Sequence, residues 1–196
     1  MSVDTKASNQ LTPLIAPLRF GVVGPNVYRG SYPQPHSVRF LKRLGLKTII
    51  SITPEPLVDG PVKQFAVDSG IDLIHVACGP STEKSKKKRA VPLSYGEARH
   101  VLELILDSSV SPVYIHCLNG SQVTCLIVAC LRKLSFWSTE AIADEFQRYS
   151  DWELEDQRFI QEFKSQIKVP QQTVSWMWQG LSMSGVVKNH PDLKIN

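Results

Sequence analysis

The sequence lacks the features that mark secreted, membrane-spanning and zinc-binding proteins. No apolar run reaches the ~20 residues that a membrane helix requires. The N-terminal stretch also lacks the cationic segment followed by an apolar block that is typical of a secretory signal. The four cysteines show no CxxC spacing, which argues against a zinc site and against a disulfide framework. We therefore expect a cytoplasmic protein with no metal, no cofactor and no membrane partner.

Charge is sparse along most of the chain. Charged residues make up 20% of the 196 residues, and the net charge is +4. One dense block reads KSKKKR (84–89), and its cations are Lys84, Lys86, Lys87, Lys88 and Arg89. Without further basic clusters, a nucleic-acid partner is not indicated. Two interpretations of the block stay open: it binds an anion such as a polyphosphate at the mouth of a site, or it is a solvated surface loop.

Short apolar segments alternate with helical patterns along the chain. The pattern predicts strands at 26–33, 47–53, 72–76 and 113–116. It predicts helices at 36–45, 61–69, 94–107, 125–134, 139–149 and 155–167. Because the strands carry little polar surface, they favour a central, largely parallel sheet in an α/β fold.

Composition and length fit one domain with tails at both ends. We expect an N-terminal lead-in at 1–22, the domain at 23–168 and a C-terminal tail at 169–196. Trp176 and Trp178 in the tail either anchor a partner protein or pack back onto their own domain, and we prefer the second interpretation. Cys78, Cys125 and Cys130 are interpreted as structural thiols.

The segment VYIHCLNGSQVTCLIVACL carries the chemistry. A buried strand ends at His116 and Cys117, a loop with Gly120 follows, and an apolar helix begins near Val123. Backbone N–H groups in such a loop can converge on an anion, and the helix N-terminus adds positive potential there. The same potential stabilises a nucleophilic thiolate at Cys117. The alternative is an ordinary strand-to-helix turn.

One component of a cysteine phosphatase is absent from this segment. The signature HCxxGxxR, followed by Ser or Thr, places an arginine six positions after the cysteine, where it grips two oxygens of the phosphoryl group. Here that position is Val123, although Thr124 keeps the hydroxyl that assists the leaving thiolate. Arg132 lies two turns further along the helix, too far to substitute. A transition-state arginine contributes about 10³–10⁵ in rate, so efficient catalysis is not expected.

Four stretches are more specific than the cysteine loop alone: VYRGSYPQPHSVRFLKRLGLKTIISITPEP (27–56), VYIHCLNGSQVT (113–124), ACLRKLSFWSTEAIADEFQRY (129–149) and EDQRFIQEF (155–163). Together they resemble the plant and fungal atypical dual-specificity phosphatases. That family includes inositol pyrophosphate phosphatases and fungal proteins linked to oxidant-induced cell-cycle arrest. The resemblance implies a cysteine-dependent phosphatase-like fold with a mostly parallel sheet flanked by helices.

The resemblance also implies residue roles. Cys117 matches the family nucleophile, here vestigial, and Thr124 matches the hydroxyl after the arginine. The phosphate-binding loop corresponds to Leu118, Asn119, Gly120, Ser121, Gln122 and Val123. Active members carry basic residues at or near Leu118 and Asn119. The loop that should carry a general acid contains Glu83 as its one carboxylate.

Three functions stay open at this point. The first is a pseudophosphatase of the stress-response type, acting as a subunit with related phosphatase-like proteins in a hetero-oligomer and binding a polyphosphorylated small molecule. The second is a weakly active phosphatase that acts on inositol pyrophosphates or phosphotyrosine. In this enzyme cationic side chains from 84–89 would supply the charge of the missing arginine. The third is a phosphate sensor that binds without turnover. An oxidation-sensor role for Cys117 is a further alternative.

Overall fold

The computed structural model describes residues 13–79, 91–164 and 166–190. Within them a five-stranded sheet is flanked by helices, which confirms the expected fold class. The strands are β1 (Gly21–Gly24), β2 (Val27–Ser31), β3 (Thr48–Thr53), β4 (Asp72–Ala77) and β5 (Val113–Cys117). The helices are α1 (Val38–Lys42, after a 3-10 turn at Pro35–Ser37), α2 (Pro61–Asp68), α3 (Tyr95–Leu106), α4 (Gln122–Leu134), α5 (Thr139–Gln147), α6 (Leu154–Glu162) and α7 (Met183–Asn189). None of the helices in these ranges has the length and apolar character needed to cross a bilayer.

The strand order is β1-β2-β5-β3-β4, and every pairing except β1 with β2 is parallel. Strand β5 therefore lies at the centre, between β2 and β3. Every residue of β3 and of β5 is buried, as expected for parallel strands covered on both faces.

Helices cover the two faces of the sheet unequally. The larger apolar cluster joins α3, α4, α5 and α6 to one face, and the smaller cluster joins α1 and α2 to the other. Most residues of α4 are buried, which explains its nearly continuous apolar sequence. This helix starts where β5 and its loop end, so the packing of α4 fixes the position of that loop.

The structure corrects one of the sequence-based assignments and adds one strand and one helix. Helix α6 ends at Glu162, so the predicted helix 155–167 is wrong beyond that residue. The helix ends there because Lys133 Nζ donates to the carbonyl oxygens of Ile160 and Phe163 at 3.0 and 2.7 Å. Strand β1 was not predicted, because glycines occupy two of its four positions. The C-terminal tail, in which the sequence predicts no helix or strand, contains α7.

The tail packs onto the same core. Trp178 is buried, and its Nε1 donates a hydrogen bond to the carbonyl oxygen of Leu134 at 2.9 Å. Trp176 is partly buried against the larger cluster. The preferred interpretation of these two tryptophans, packing onto their own domain, is therefore confirmed.

Candidate functional site

Cys117 is the last residue of the central strand β5, and the loop 118–121 connects it to the N-terminus of α4. In open α/β sheets, ligands bind outside the carboxyl ends of the parallel strands. The strand, the loop and the helix N-terminus are therefore arranged as an oxyanion cradle requires.

Three carbonyl groups of the loop accept hydrogen bonds from residues outside it. Tyr32 N donates to Leu118 O at 3.1 Å, Arg19 Nη1 donates to Asn119 O at 3.1 Å, and Arg29 Nη2 donates to Gly120 O at 2.7 Å. Since an amide carbonyl and the N–H that follows it point in opposite directions, the N–H groups of residues 119–121 point away from these three donors. This orientation leaves them available to an acceptor on the other side of the loop.

Gly120 is the one loop residue whose identity is fixed by space. Its φ is +69°, and a Cβ there would lie 2.6 Å from the carbonyl carbon of Gly30 and 2.7 Å from Ser31 N. Both atoms belong to the backbone of β2, which cannot move aside. The close approach of loop and strand therefore requires glycine.

The Cys117 thiol faces a cavity. Its residue is 4% exposed, and Sγ lies 3.9 Å from Asn119 Oδ1. The cavity has a volume of about 310 Å³. It is lined by Ile52, Pro54, Cys78, Gly79, Pro92, Cys117, Leu118, Asn119, Ser121, Gln122 and Val123. Among the described residues that line it, none carries a charged side chain, and Val123 stands in the wall.

His116 links the end of β5 to the neighbouring strand β3. Its Nε2 lies 2.8 Å from Ser51 Oγ, and its Nδ1 lies 3.2 Å from the carbonyl oxygen of Cys117. Because a carbonyl only accepts, Nδ1 donates and Nε2 accepts from the serine hydroxyl. Burial lowers the pKa of His116 to about 4, partly opposed by the bond to Cys117. The ring is therefore neutral near pH 7 and acts as a structural linker.

The beginning of α4 is anchored to later parts of the chain. Gln122 Nε2 donates to Asp156 Oδ1 at 2.7 Å, and Ser121 Oγ donates to Ser150 Oγ at 2.9 Å. Thr124 is completely buried, and its Oγ1 has no hydrogen-bond partner within the described residues. Thr124 lies in the first turn of α4. It follows Val123 directly in the sequence, but unlike Val123 it does not line the cavity.

The second thiol at the cavity belongs to Cys78, just after β4. Burial, followed by the nearby Glu97 and Cys117, raises the pKa of Cys78 to about 12, so this thiol stays protonated. Its Sγ donates to the carbonyl oxygen of Pro92. This environment agrees with the structural role expected from the sequence.

The basic block 84–89 and Glu83 lie outside the described residues. The residues that flank this segment, Gly79 and Pro92, both line the cavity. The structure places Arg132 at the far end of α4, where it forms two bonds to the Glu145 carboxylate at 2.7 and 2.8 Å. As predicted, Arg132 does not replace the signature arginine.

Sequence reasoning missed the arginines behind the loop. Arg29 is 1% exposed, and its guanidinium lies 3.9 Å from the centre of the Tyr149 ring. The sequence signal was the pair Tyr28-Arg29 in the first of the four distinctive stretches. A contact between residues 91 positions apart cannot be read from that pair alone.

The chain matches the model of the tyrosine phosphatase family over residues 14–182. It is 39% identical over 165 residues to OCA6 of Saccharomyces cerevisiae, provisionally named a tyrosine-protein phosphatase, covering 80% of this chain and 74% of OCA6. It is 32% identical over 166 residues to the inositol diphosphatase DSP4 of Arabidopsis thaliana, covering 83% and 79%. The core catalytic domain of the PP-IP phosphatase SIW14 from Saccharomyces cerevisiae has a TM-score of 0.68 at 29% identity, covering 77% of this chain and 88% of that domain. The resemblance to atypical phosphatases and the cysteine-phosphatase fold are thereby confirmed.

Proposed function

This chain belongs to the tyrosine phosphatase family, and we propose that it is a pseudophosphatase within that family. In this proposal it binds a phosphorylated ligand without efficient turnover. It acts as a subunit or ligand-binding partner beside related phosphatase-like proteins, in the cytoplasm. None of the four cysteines, all of which lie in the described ranges, forms a disulfide, which is compatible with a reducing compartment.

The observation that carries the proposal is Val123 in the wall of a cavity whose described lining is uncharged. Losing a transition-state arginine removes about 10³–10⁵ in rate, which corresponds to about 4–7 kcal/mol of transition-state stabilisation. The nucleophile and the loop that would hold the ground-state anion are retained. Such a site favours binding over chemistry.

The ligand class follows from the loop and from the relatives. The N–H groups of the loop suit a tetrahedral oxyanion. The plant relative is named an inositol diphosphatase, and the yeast structure is that of a PP-IP phosphatase. We therefore propose a polyphosphorylated small molecule of the inositol pyrophosphate class as the ligand.

Exposed aromatic residues support a partner-binding role. Phe136 is 50% exposed and Trp137 is 43% exposed, and they are adjacent after α4. Phe136 has φ +61°, a conformation that is unfavourable for a bulky side chain. Aromatic side chains are enriched at interface hot spots, so this pair is a candidate contact for a related subunit.

Activity and binding measurements on purified protein test the proposal. We expect no phosphate release from an inositol pyrophosphate or from an aryl phosphate beyond that of Cys117→Ser. Calorimetry should detect binding of the inositol pyrophosphate to both proteins. Turnover at rates typical of the family, lost in Cys117→Ser, would exclude a pseudophosphatase. Absence of binding would exclude the phospho-ligand.

A weakly active phosphatase is the second candidate. Two observations favour it: Cys117 and Thr124 are retained in the sequence, and Gly79 and Pro92, which precede and follow the basic block along the chain, line the cavity. This candidate requires cations at 84–89 to act on the phosphoryl group. Replacing Lys84, Lys86, Lys87, Lys88 and Arg89 together by alanine should then abolish any measured turnover, and an unchanged rate would leave this candidate without a mechanism.

A further inference from the structure

A buried arginine lies directly behind the loop that follows Cys117. Arg29 is 1% exposed, its Nη2 donates to Gly120 O at 2.7 Å, and the same nitrogen lies 3.1 Å from Cys125 Sγ. An arginine side chain does not lose its proton in a protein. A full positive charge is therefore enclosed in the fold at this point.

This charge has no ion-pair partner among the described residues, in which the recorded ion pairs involve other side chains. Arg29 Nε and Nη1 also have no hydrogen-bond acceptor there. The buried carboxylate of Asp156 accepts from Gln122 Nε2 through one oxygen, and its other oxygen has no hydrogen-bond partner. The guanidinium contacts the Tyr149 ring at 3.9 Å, but this contact supplies no negative charge. A buried charge without an ion-pair partner destabilises a fold unless an opposite charge approaches it.

Arg29 does not line the cavity, although it binds the loop that does. Asn119 and Ser121 line the cavity, whereas Gly120, whose carbonyl group Arg29 binds, does not. An anion in the cavity would be separated from the guanidinium by the loop backbone. In the low-dielectric interior of a protein, two opposite charges attract each other much more strongly than they would at the same distance in water.

We propose that Arg29 provides, from behind the loop, positive charge that holds an oxyanion in the cavity, so that anion binding and fold stability are coupled through this residue. The inference rests on the proposed phospho-ligand function and names a determinant of it. Arg29 acts as a positioning residue, since it touches the loop and not the ligand. Its charge partly replaces the charge of the signature arginine, whose position is occupied here by Val123.

A purely structural role, limited to the hydrogen bond with Gly120 O, makes a different prediction. Arg29→Gln keeps an N–H donor for that bond but removes the charge, whereas Arg29→Lys keeps the charge. Arg43 offers a control for the loss of one positive charge, because it is exposed at the end of α1 and does not line the cavity. At that position solvent and salt screen the charge.

The test is thermal unfolding in sodium phosphate and in sodium chloride at equal ionic strength, with the phosphate affinity obtained from a titration. We expect phosphate to stabilise the wild type, Arg29→Lys and Arg43→Gln. Arg29→Gln should bind phosphate at least about tenfold more weakly, with a much reduced shift of the unfolding temperature.

Wild-type phosphate affinity in Arg29→Gln would overturn the inference and leave the phospho-ligand proposal intact. A wild type that phosphate does not stabilise would overturn both. If Arg29→Gln does not fold, Arg29→Lys decides: a folded lysine variant that has lost the phosphate effect contradicts a role for the charge, and one that keeps it supports that role.

Discussion

Replacing Gly120 by alanine should damage the fold and the anion site together. The backbone of Gly120 has φ +69°, and the added Cβ would lie 2.6 Å from the carbonyl carbon of Gly30 and 2.8 Å from its oxygen. Such contacts are shorter than any that folded proteins tolerate, so the loop must move away from β2. That movement also breaks the bond from Arg29 Nη2 to Gly120 O at 2.7 Å.

Two contributions set the magnitude. A left-handed conformation costs an L-residue about 1–2 kcal/mol. Forcing extra volume into a packed region typically costs about 1–3 kcal/mol more. We therefore expect the free energy of unfolding to fall by about 2–5 kcal/mol, or by roughly 5–15 °C in the melting temperature of a protein of this size.

Gly45→Ala is the matched control, because Gly45 has φ +59° and a Cβ there would meet nothing within 4 Å. It should lose only the conformational part, about 1–2 kcal/mol. Equilibrium urea unfolding of both variants measures the difference, and a phosphate titration should show binding lost in Gly120→Ala alone. Equal destabilisation of the two variants would refute the close approach of loop and strand.

Two further predictions concern side chains near the site and at the end of α6. Burial lowers the pKa of His116 to about 4. Below pH ~6.5 the histidine is therefore protonated in the unfolded chain but still neutral in the folded protein. The free energy of unfolding consequently decreases as the pH falls toward 4. The full loss in the free energy of unfolding from this one histidine amounts to about 3 kcal/mol. Urea unfolding between pH 7.5 and 4.5 should show that His116→Asn loses less stability over this range than the wild type. Equal losses of stability in the two proteins would contradict a buried neutral ring. Lys133 Nζ donates to the carbonyl oxygens of Ile160, Gln161 and Phe163 at 3.0, 3.0 and 2.7 Å, so Lys133→Met should lower the free energy of unfolding by about 2–3 kcal/mol. An unchanged melting temperature would show that this cap does not stabilise α6.

The parts of the fold that the sequence predicts well are those with local signals. Ser94 and Glu97 have capping-box spacing, and both reciprocal bonds of the box are present at the start of α3. The β-branched run ending at Thr53 is β3. Cys117, Gly120 and α4 follow one another in sequence, so their arrangement as strand, loop and helix could be predicted from the motif.

The parts that could not be predicted depend on contacts between distant residues. Strand β1 is short and exists because it pairs with β2. The end of α6 is set by Lys133, which comes from another helix. The bond between Arg29 and Gly120 joins the first strand pair to the cysteine loop, and no local pattern in the sequence encodes it.

The most direct test of the central claim is phosphate release by Val123→Arg, measured beside the wild type and the double variant Val123→Arg with Cys117→Ser. The account predicts a silent wild type and a turnover in Val123→Arg that rises by at least about 10² and disappears in the double variant. Turnover in the wild type that Cys117→Ser abolishes would mean that another group supplies the missing charge, and it would contradict the pseudophosphatase assignment.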